Sequence, residues 1–386
     1  MHLRGRTILG ILIGFLPVVA FLEFQPGAIR AQNPEKIQPT PLPKDVDPSD
    51  PALPVWMRPA NPHPAAATTT AKPAASPAST PATNQPQPAG EGSVGEVTKT
   101  SSGGYVLRVR SDEVTLQATV VDPRSSGRLI TTLNKDSFTV YEDNQVQQIT
   151  SFRREDIPVS IGIVVDNSGS MRTKRNAVTK AVLNLVQASN PKDEVFIVNF
   201  NDEPYLDQDF TNNISQMREA LDRVDARSGT ALYDAVIASA DHLTKGGQRD
   251  KKVLLLITDG DDNLSRVSLE QTIRAVQNDN GPTIYTIGIL GDEGNTKRFK
   301  RALEALSLQT GGVAFFPKTL TEVDEMSQAV ARDIRNQYSI TYKPSNPRAN
   351  GGYRAVRVVA HAAGFKDLVV RTRSGYFASD QRSANR

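Results

Sequence analysis

Apolar and polar positions change rhythm twice along the chain. From "YVLRVRSDEVTLQATVVD" through "SGRLITTLNKDSFTVYEDNQVQQITSF" apolar residues alternate with polar ones, as at Val114, Leu116, Ala118 and Val120, and Asp143-Asn144 supplies turn chemistry. That spacing predicts strands without helices. The same rhythm returns in "YSITYKP", "YRAVRVVAHAAGF" and "DLVVRTRSGYFA". Each block alone offers about three or four strands, marginal for an independent core. Residues 105–156 and 338–379 are therefore expected to pair into one small β-sandwich, with everything between them inserted. In the insert, residues 157–337, apolar positions recur at helical spacing, from Val178, Ala181, Val182 and Leu185 to Val323, Met326, Val330 and Ile334. Alternating with these are apolar runs at Ser160 to Val165, Val195 to Phe200, Val253 to Thr258, Thr283 to Leu290 and Val313 to Phe316. The expectation is an α/β fold, a doubly wound and mostly parallel sheet covered on both faces.

In such sheets ligands bind beyond the carboxyl ends of the strands. The stretch "VVDNSGSMRT" lies at one of these ends. Alternate positions of a short extended segment point the same way, so Asp166, Ser168 and Ser170 can present three oxygens to one side, with Gly169 permitting a tight path. Thr230 in "ARSGTALYDAV" precedes a helix, and Asp259 in "LLLITDGDDN" ends a buried strand. Five hard oxygen donors from three loops could converge. Only two of them are charged. Calcium would recruit more carboxylates and carbonyls, whereas Mg²⁺ or Mn²⁺ accepts a sparser protein shell and keeps positions open. A carboxylate from a partner would gain a strong contact at the vacancy. The plainer alternative is that the Asp and Ser residues only cap the following helix.

Composition adds a compartment and removes several chemistries. The first residues carry His2, Arg4 and Arg6, then an apolar stretch from Thr7 to Leu22, then small residues before Gln32, which reads as an export signal at 1–31 rather than a span. Residues 32–104 collapse to Pro, Ala, Thr, Ser and Gln, a spacer expected to stay disordered, with one apolar island at Val55, Trp56 and Met57. Residues 380–386 form a tail. The chain has no cysteine, so neither disulfides nor a lipid-modified cysteine enter. A formal charge of +3 from 45 basic and 42 acidic residues, without a basic cluster, argues against nucleic acid. The run "DNSGSM" lacks the glycine spacing of a nucleotide loop. Asp259, Asp261 and Asn263 have a calcium-loop spacing, but Leu264 stands where that loop needs glycine. Asp261 and Asp262 then read as a solvated turn or as stiffeners of the loop, and His242 as a helix-surface residue.

From about Pro158 to Gln337 the chain resembles a von Willebrand factor type A domain. "VVDNSGSM" matches the metal-ion-dependent adhesion site (MIDAS) motif of that family, "SGTALYDA" its threonine loop and "LLLITDGDDN" its aspartate loop; bacterial members have flanking strand segments ending in "RSGYFA". The resemblance implies a six-stranded sheet in the order 3-2-1-4-5-6 with one antiparallel edge strand. It also implies that Ser168 and Ser170 bind the metal directly, Thr230 directly or through water, and Asp166 and Asp259 mainly through water. The expected function is an exported, periplasmic or cell-surface, metal-dependent protein-binding or adhesion module that takes an Asp or Glu of a partner protein. The membrane would be touched only through the leading segment, were it uncleaved. One rival is an envelope scaffold whose metal only stabilises the fold. Another is a metal hydrolase, disfavoured because no His accompanies the motif and both carboxylates belong to the metal shell, so no enzyme is expected.

Overall fold

The computed structural model describes residues 113–378 apart from 126, 155, 223–228, 291–295 and 348–349. It also gives the backbone of three short strands before them, β1 (Glu35–Lys36), β2 (Gly95–Lys99) and β3 (Tyr105–Val109). The export signal, most of the spacer with its Val55 to Met57 island, and the tail lie outside the described residues. β1 and β2 fall within the stretch read as a spacer, and β2 pairs antiparallel with β3.

The first block forms β4 (Val114–Asp122), β5 (Arg128–Leu129), β6 (Phe138–Glu142), β7 (Gln145–Gln147) and β8 (Ile149–Arg153). The insert runs β9 (Val159–Asp166), α1 (Arg175–Gln187), β10 (Glu194–Phe200), β11 (Pro204–Thr211), α2 (Ile214–Asp222), α3 (Leu232–Gly246) and β12 (Lys251–Thr258). It continues through α4 (Leu269–Val276), β13 (Thr283–Gly288), α5 (Thr296–Thr310), β14 (Ala314–Phe315) and α6 (Glu322–Arg335). The chain then returns in β15 (Tyr338–Tyr342), β16 (Tyr353–Ala360), β17 (Val369–Arg371) and β18 (Gly375–Phe377).

The insert's sheet has the order β11-β10-β9-β12-β13-β14, the order the family resemblance implied, with β1 against the outer edge of β11. All its pairings are parallel except those of β11. β9 is buried at every position, as a central strand covered on both faces must be. A side chain at Gly162 in its middle would run into the ring of Phe196, so the glycine is what lets that ring lie across the strand. One layer of core joins Ile161, Ile163, Ile197 and Leu255 to Val178, Leu185, Met217, Val330 and Ile334 of α1, α2 and α6. The opposite layer joins Val164, Phe196, Val198 and Leu254 to Leu232, Val236, Ile273 and Leu303 of α3, α4 and α5. Each such side chain removed from water stabilises the fold by about 1.5–3 kcal/mol.

β11 is the strand that the apolar pattern does not reveal. Asp207 and Asp209 interrupt its alternation, and its register against β10 is broken between Val195 and Val198. Charge and irregularity are what an edge position tolerates and a central one does not.

The flanking blocks interleave strand by strand. One antiparallel sheet has the order β17-β4-β15-β8 with β5 beside β4, the other β18-β16-β6-β7. β4 from the first block therefore lies between two strands of the second, and β16 pairs with β6. Their shared core holds Leu116, Ala118, Val140, Tyr338, Ile340, Tyr342 and Tyr376. Asp143 and Asn144 adopt φ of 49° and 63°, the paired left-handed positions of a two-residue hairpin turn between β6 and β7. Among the described residues no helix is long and apolar enough to cross a membrane.

Candidate metal centre

Asp166 ends β9 and Asp259 follows the carboxyl end of the neighbouring β12, and the loop before α3 meets the loop after β12 at Asn263 and Leu264. Asp166 is buried and both its oxygens are held. Oδ1 accepts the Ser168 backbone N–H at 2.8 Å, and Oδ2 accepts the Thr258 hydroxyl at 2.6 Å. Ser168 and Ser170 flank a glycine, and their Oγ atoms are 3.1 Å apart. Ser170 Oγ donates to Asp259 Oδ1 at 2.7 Å, and the ammonium of Lys174 takes Asp259 Oδ2. A 3₁₀ turn, Gly169–Thr173, then leads into α1, with Met171 buried beneath it. Four of the five residues read from the sequence are thus linked by hydrogen bonds in one cluster.

Thr230 joins through its backbone. Its N–H donates to Asn263 Oδ1 at 3.0 Å, and its carbonyl accepts the N–H groups of Asn263 and Leu264 at 3.0 and 3.3 Å, which stitches this loop to the one carrying Asp259. Thr230 Oγ1 lies 3.7 Å from where a β-carbon at Gly260 would stand. At Gly229 a side chain would strike Leu264 and Asp202, whose Oδ1 accepts the Gly229 N–H at 3.0 Å. The glycine keeps the two loops in register.

Burial pushes the Asp166 carboxyl up to about 6; donors from Thr258 and Ser168 pull it back, and the neighbouring Asp259 charge adds to the rise. The cluster therefore holds two carboxylates, both with side chains shielded from water, against the single ammonium of Lys174. Among the described residues no three His, Asp or Glu gather into a metal-holding group. Any cation here would rest on hydroxyls as much as on carboxylates. The donor set fits a hard divalent ion: two carboxylates, two serine hydroxyls and the Thr230 loop, with an ammonium already drawn to the spot.

Two participants were not singled out from sequence. Thr258 matters because the register that pairs Ile257 with Val165 carries the next residues, Thr258 and Asp166, side by side. Lys174 matters because the 3₁₀ turn folds it back over Asp259. The neighbouring "DGDDN" residues stiffen the loop: Asp262 Oδ1 accepts the Tyr233 N–H at 3.3 Å and the Ser265 hydroxyl, while Asn263 ties to Thr230. His242 differs from its reading as a surface residue. Its ring stacks on Phe210 at 5.3 Å between centroids, meets Phe196 edge-on and pairs with Asp209 at 2.9 Å.

Residues 161–261 match the family model described as von Willebrand factor type A domain, a span that contains all five site residues. Over 209 residues the chain is 23% identical to inter-alpha-trypsin inhibitor heavy chain H4 of Bos taurus, covering 49% of this chain and 22% of that protein. Over a similar span of 209 residues it is 22% identical to the uncharacterized protein sll0103 of Synechocystis sp., covering 52% of this chain and 47% of that one. The chain thus spans less than half the length of either relative. Among solved structures, the von Willebrand factor type A protein from Catenulispora acidiphila aligns with a TM-score of 0.41 at 15% identity, covering 70% of this chain and 74% of that one.

Proposed function

With residues 161–261 a von Willebrand factor type A domain, we propose that this chain is an exported protein-binding module whose loop cluster at Asp166, Ser168, Ser170, Thr230 and Asp259 holds Mg²⁺ or Mn²⁺ and engages an acidic residue of a partner. The observation that supports this reading is the Ser168, Ser170 and Asp259 array at the carboxyl edge of the sheet, built from the two loops after β9 and β12 and rich in neutral hydroxyls. When bound, the ion supplies an electrophilic coordination position that a partner's carboxylate completes. The chain's own residues do the remainder. Ser168 and Ser170 present neutral oxygens on a turn fixed by the Ser168 N–H to Asp166 bond, and Thr230 arrives on a loop tied to Asn263.

Binding is favoured over hydrolysis by where the carboxylates point. Asp166 is held by Ser168 and Thr258, and Asp259 by Ser170 and Lys174, which commits both carboxylates to the set that would hold the ion rather than to the role of a general base. Export and a periplasmic or cell-surface location rest on the leading segment with its basic head and apolar stretch.

The test is capture of envelope proteins by the full chain in Mg²⁺ and in EDTA, alongside Ser168→Ala and Ser170→Ala. Partner retention is expected in Mg²⁺ alone and is expected to fall more than tenfold in either variant, with circular dichroism unchanged. Retention that ignores EDTA and both substitutions would favour the scaffold reading instead.

A further inference from the structure

We propose that Lys174 is a built-in competitor for the cation: its ammonium holds Asp259 in the metal-free protein, and a divalent ion loads the site by displacing it. This builds on the reading of the loop cluster as a metal site.

The geometry comes first. The Asp259 side chain is wholly shielded from solvent, and its two oxygens are shared between Ser170 Oγ, at 2.7 Å, and Lys174 Nζ. An ion that draws on Asp259 meets a carboxylate already neutralised by a cation. Helix energetics do not explain that cation. Lys174 is the residue before α1, Arg175 follows it, and the first turn contains no acidic residue. Positive side chains at a helix N-terminus oppose the helix dipole. The Asp259 carboxylate is the counterpart that holds Lys174 there.

Charge counting gives the direction of exchange. Within the hydrogen-bonded cluster Asp166 and Asp259 carry two negative charges against the one ammonium of Lys174, while the Arg175 guanidinium is held on the neighbouring Asn167 side chain. Adding a divalent ion while the ammonium stayed would leave an excess positive charge in a shielded place. Replacing the ammonium by the ion balances the cluster. A monovalent ion would only exchange one positive charge for another, so Na⁺ or K⁺ gains little by entering. Lys174 therefore sets both a threshold for loading and a preference for divalent ions.

The backbone leaves only one way out. The Lys174 N–H donates to the Met171 carbonyl at 2.9 Å, and its own carbonyl accepts the N–H groups of Ala177 and Val178, both at 3.1 Å. The main chain is pinned while the four-carbon stem stays free to swing. Arg172 and Thr173 beside it are exposed, so the released ammonium turns outward to the rim, where it adds positive charge on the face that a carboxylate partner approaches.

The experiment titrates the purified full chain with Mn²⁺ by calorimetry, for wild type, Lys174→Gln and Lys174→Arg. Gln removes the charge at similar length, whereas the planar fork of Arg grips a carboxylate more firmly. The expected order of Mn²⁺ affinity is Gln, then Lys, then Arg, with about tenfold between Gln and Lys, the size of one charge-assisted contact. A second readout needs no variant: acylation of Lys174 by an amine-reactive ester, followed by mass spectrometry, should rise severalfold on adding Mn²⁺ to EDTA-treated wild type. Equal affinities across the three proteins, or Lys174 equally protected with and without the ion, would overturn the competitor while leaving the site intact. Failure of all three to bind Mn²⁺ would overturn the site and the competitor with it.

Discussion

At the scale of single residues, the site depends on one hydroxyl that lies outside the loops' own motif. Asp166 is buried at the end of β9, and burial raises its carboxyl to about 6 although two donors hold it. Thr258 is one of them, at 2.6 Å. Thr258→Val keeps the β-branched shape in the strand and removes the donor, leaving a shielded carboxylate oxygen unbonded. Hydrogen bonds to charged groups contribute about 1.5–3 kcal/mol, so the variant is expected to lose about 2 kcal/mol in urea denaturation, with Thr258→Ser restoring most of it. If the cluster holds Mn²⁺ as proposed, its affinity should fall in parallel, because Asp166 would no longer be held in place. This residue also marks how far the site could be read. Thr230 stands out because it lies just before an amphipathic run, and Asp166, Ser168, Ser170 and Asp259 because they follow apolar strand runs. Thr258 is the last residue of such a run and looks like strand; its role exists only once β12 is in register with β9. Lys174 is hidden similarly, since a lysine four residues after a serine carries no signal until a 3₁₀ turn brings it back.

At the scale of elements, α6 carries the connection between the insert and the sandwich. Its last turn offers the Ile334 carbonyl to the ammonium of Lys251, which is 3% exposed, and its Asp333 accepts Tyr285 Oη at 2.7 Å and Arg371 Nη2 at 2.8 Å from β17. Arg335 pairs with Asp156 at 2.7 Å and with Asp193. Burial lowers Lys251 to about 7, Arg335 adds to the fall, and Asp333, Asp156 and Asp193 oppose it. The unfolded chain keeps the lysine near its ordinary 10.5, so between these values the unfolded state binds a proton that the fold has released, and stability rises with pH. Below about 7 both states are protonated and the penalty is fully present. Urea denaturation is expected to show wild type gaining about 2 kcal/mol relative to Lys251→Met from about pH 7 to 9. Above that window the buried tyrosines take over, because Tyr285 is held well above its usual value and its unfolded form ionises first. A difference between the two proteins that does not change with pH would contradict this. Elements of this kind were legible in proportion to their periodicity. The long amphipathic helices and central strands declared themselves, whereas β11 did not, its apolar positions being interrupted by the charges of an exposed edge.

At the scale of the whole molecule, two lobes that alternate in sequence are joined by main-chain groups as well as by the Asp333–Arg371 pair. That the flanking blocks belong together was legible, because neither holds enough strands for a core. How they attach was not, since many of the acceptors are carbonyls, which no residue type announces. Arg373, between β17 and β18, donates to the carbonyl oxygens of Asn278 and Asp279 at 3.0 and 3.1 Å and of Gly281 at 2.8 Å, all in the loop between α4 and β13. Phe377 N–H reaches the Gln277 carbonyl at 2.7 Å, and Gln277 Nε2 reaches both the Gln309 carbonyl and Ser374 Oγ at 3.0 Å. A guanidinium that spans three carbonyls fixes the loop and the returning chain at once, so the lobes are expected to melt as one cooperative unit. Arg373→Met fills much of the volume but leaves those carbonyls without their donor, at a cost of about 2–4 kcal/mol. That loss falls on the junction rather than on either core. Scanning calorimetry should therefore give a single transition for wild type and two for the variant, the sandwich melting before the insert, whose larger sheet is covered on both faces. One transition in the variant, merely shifted to lower temperature, would mean that the interleaved strands and the α6 ion pairs couple the lobes without help from Arg373.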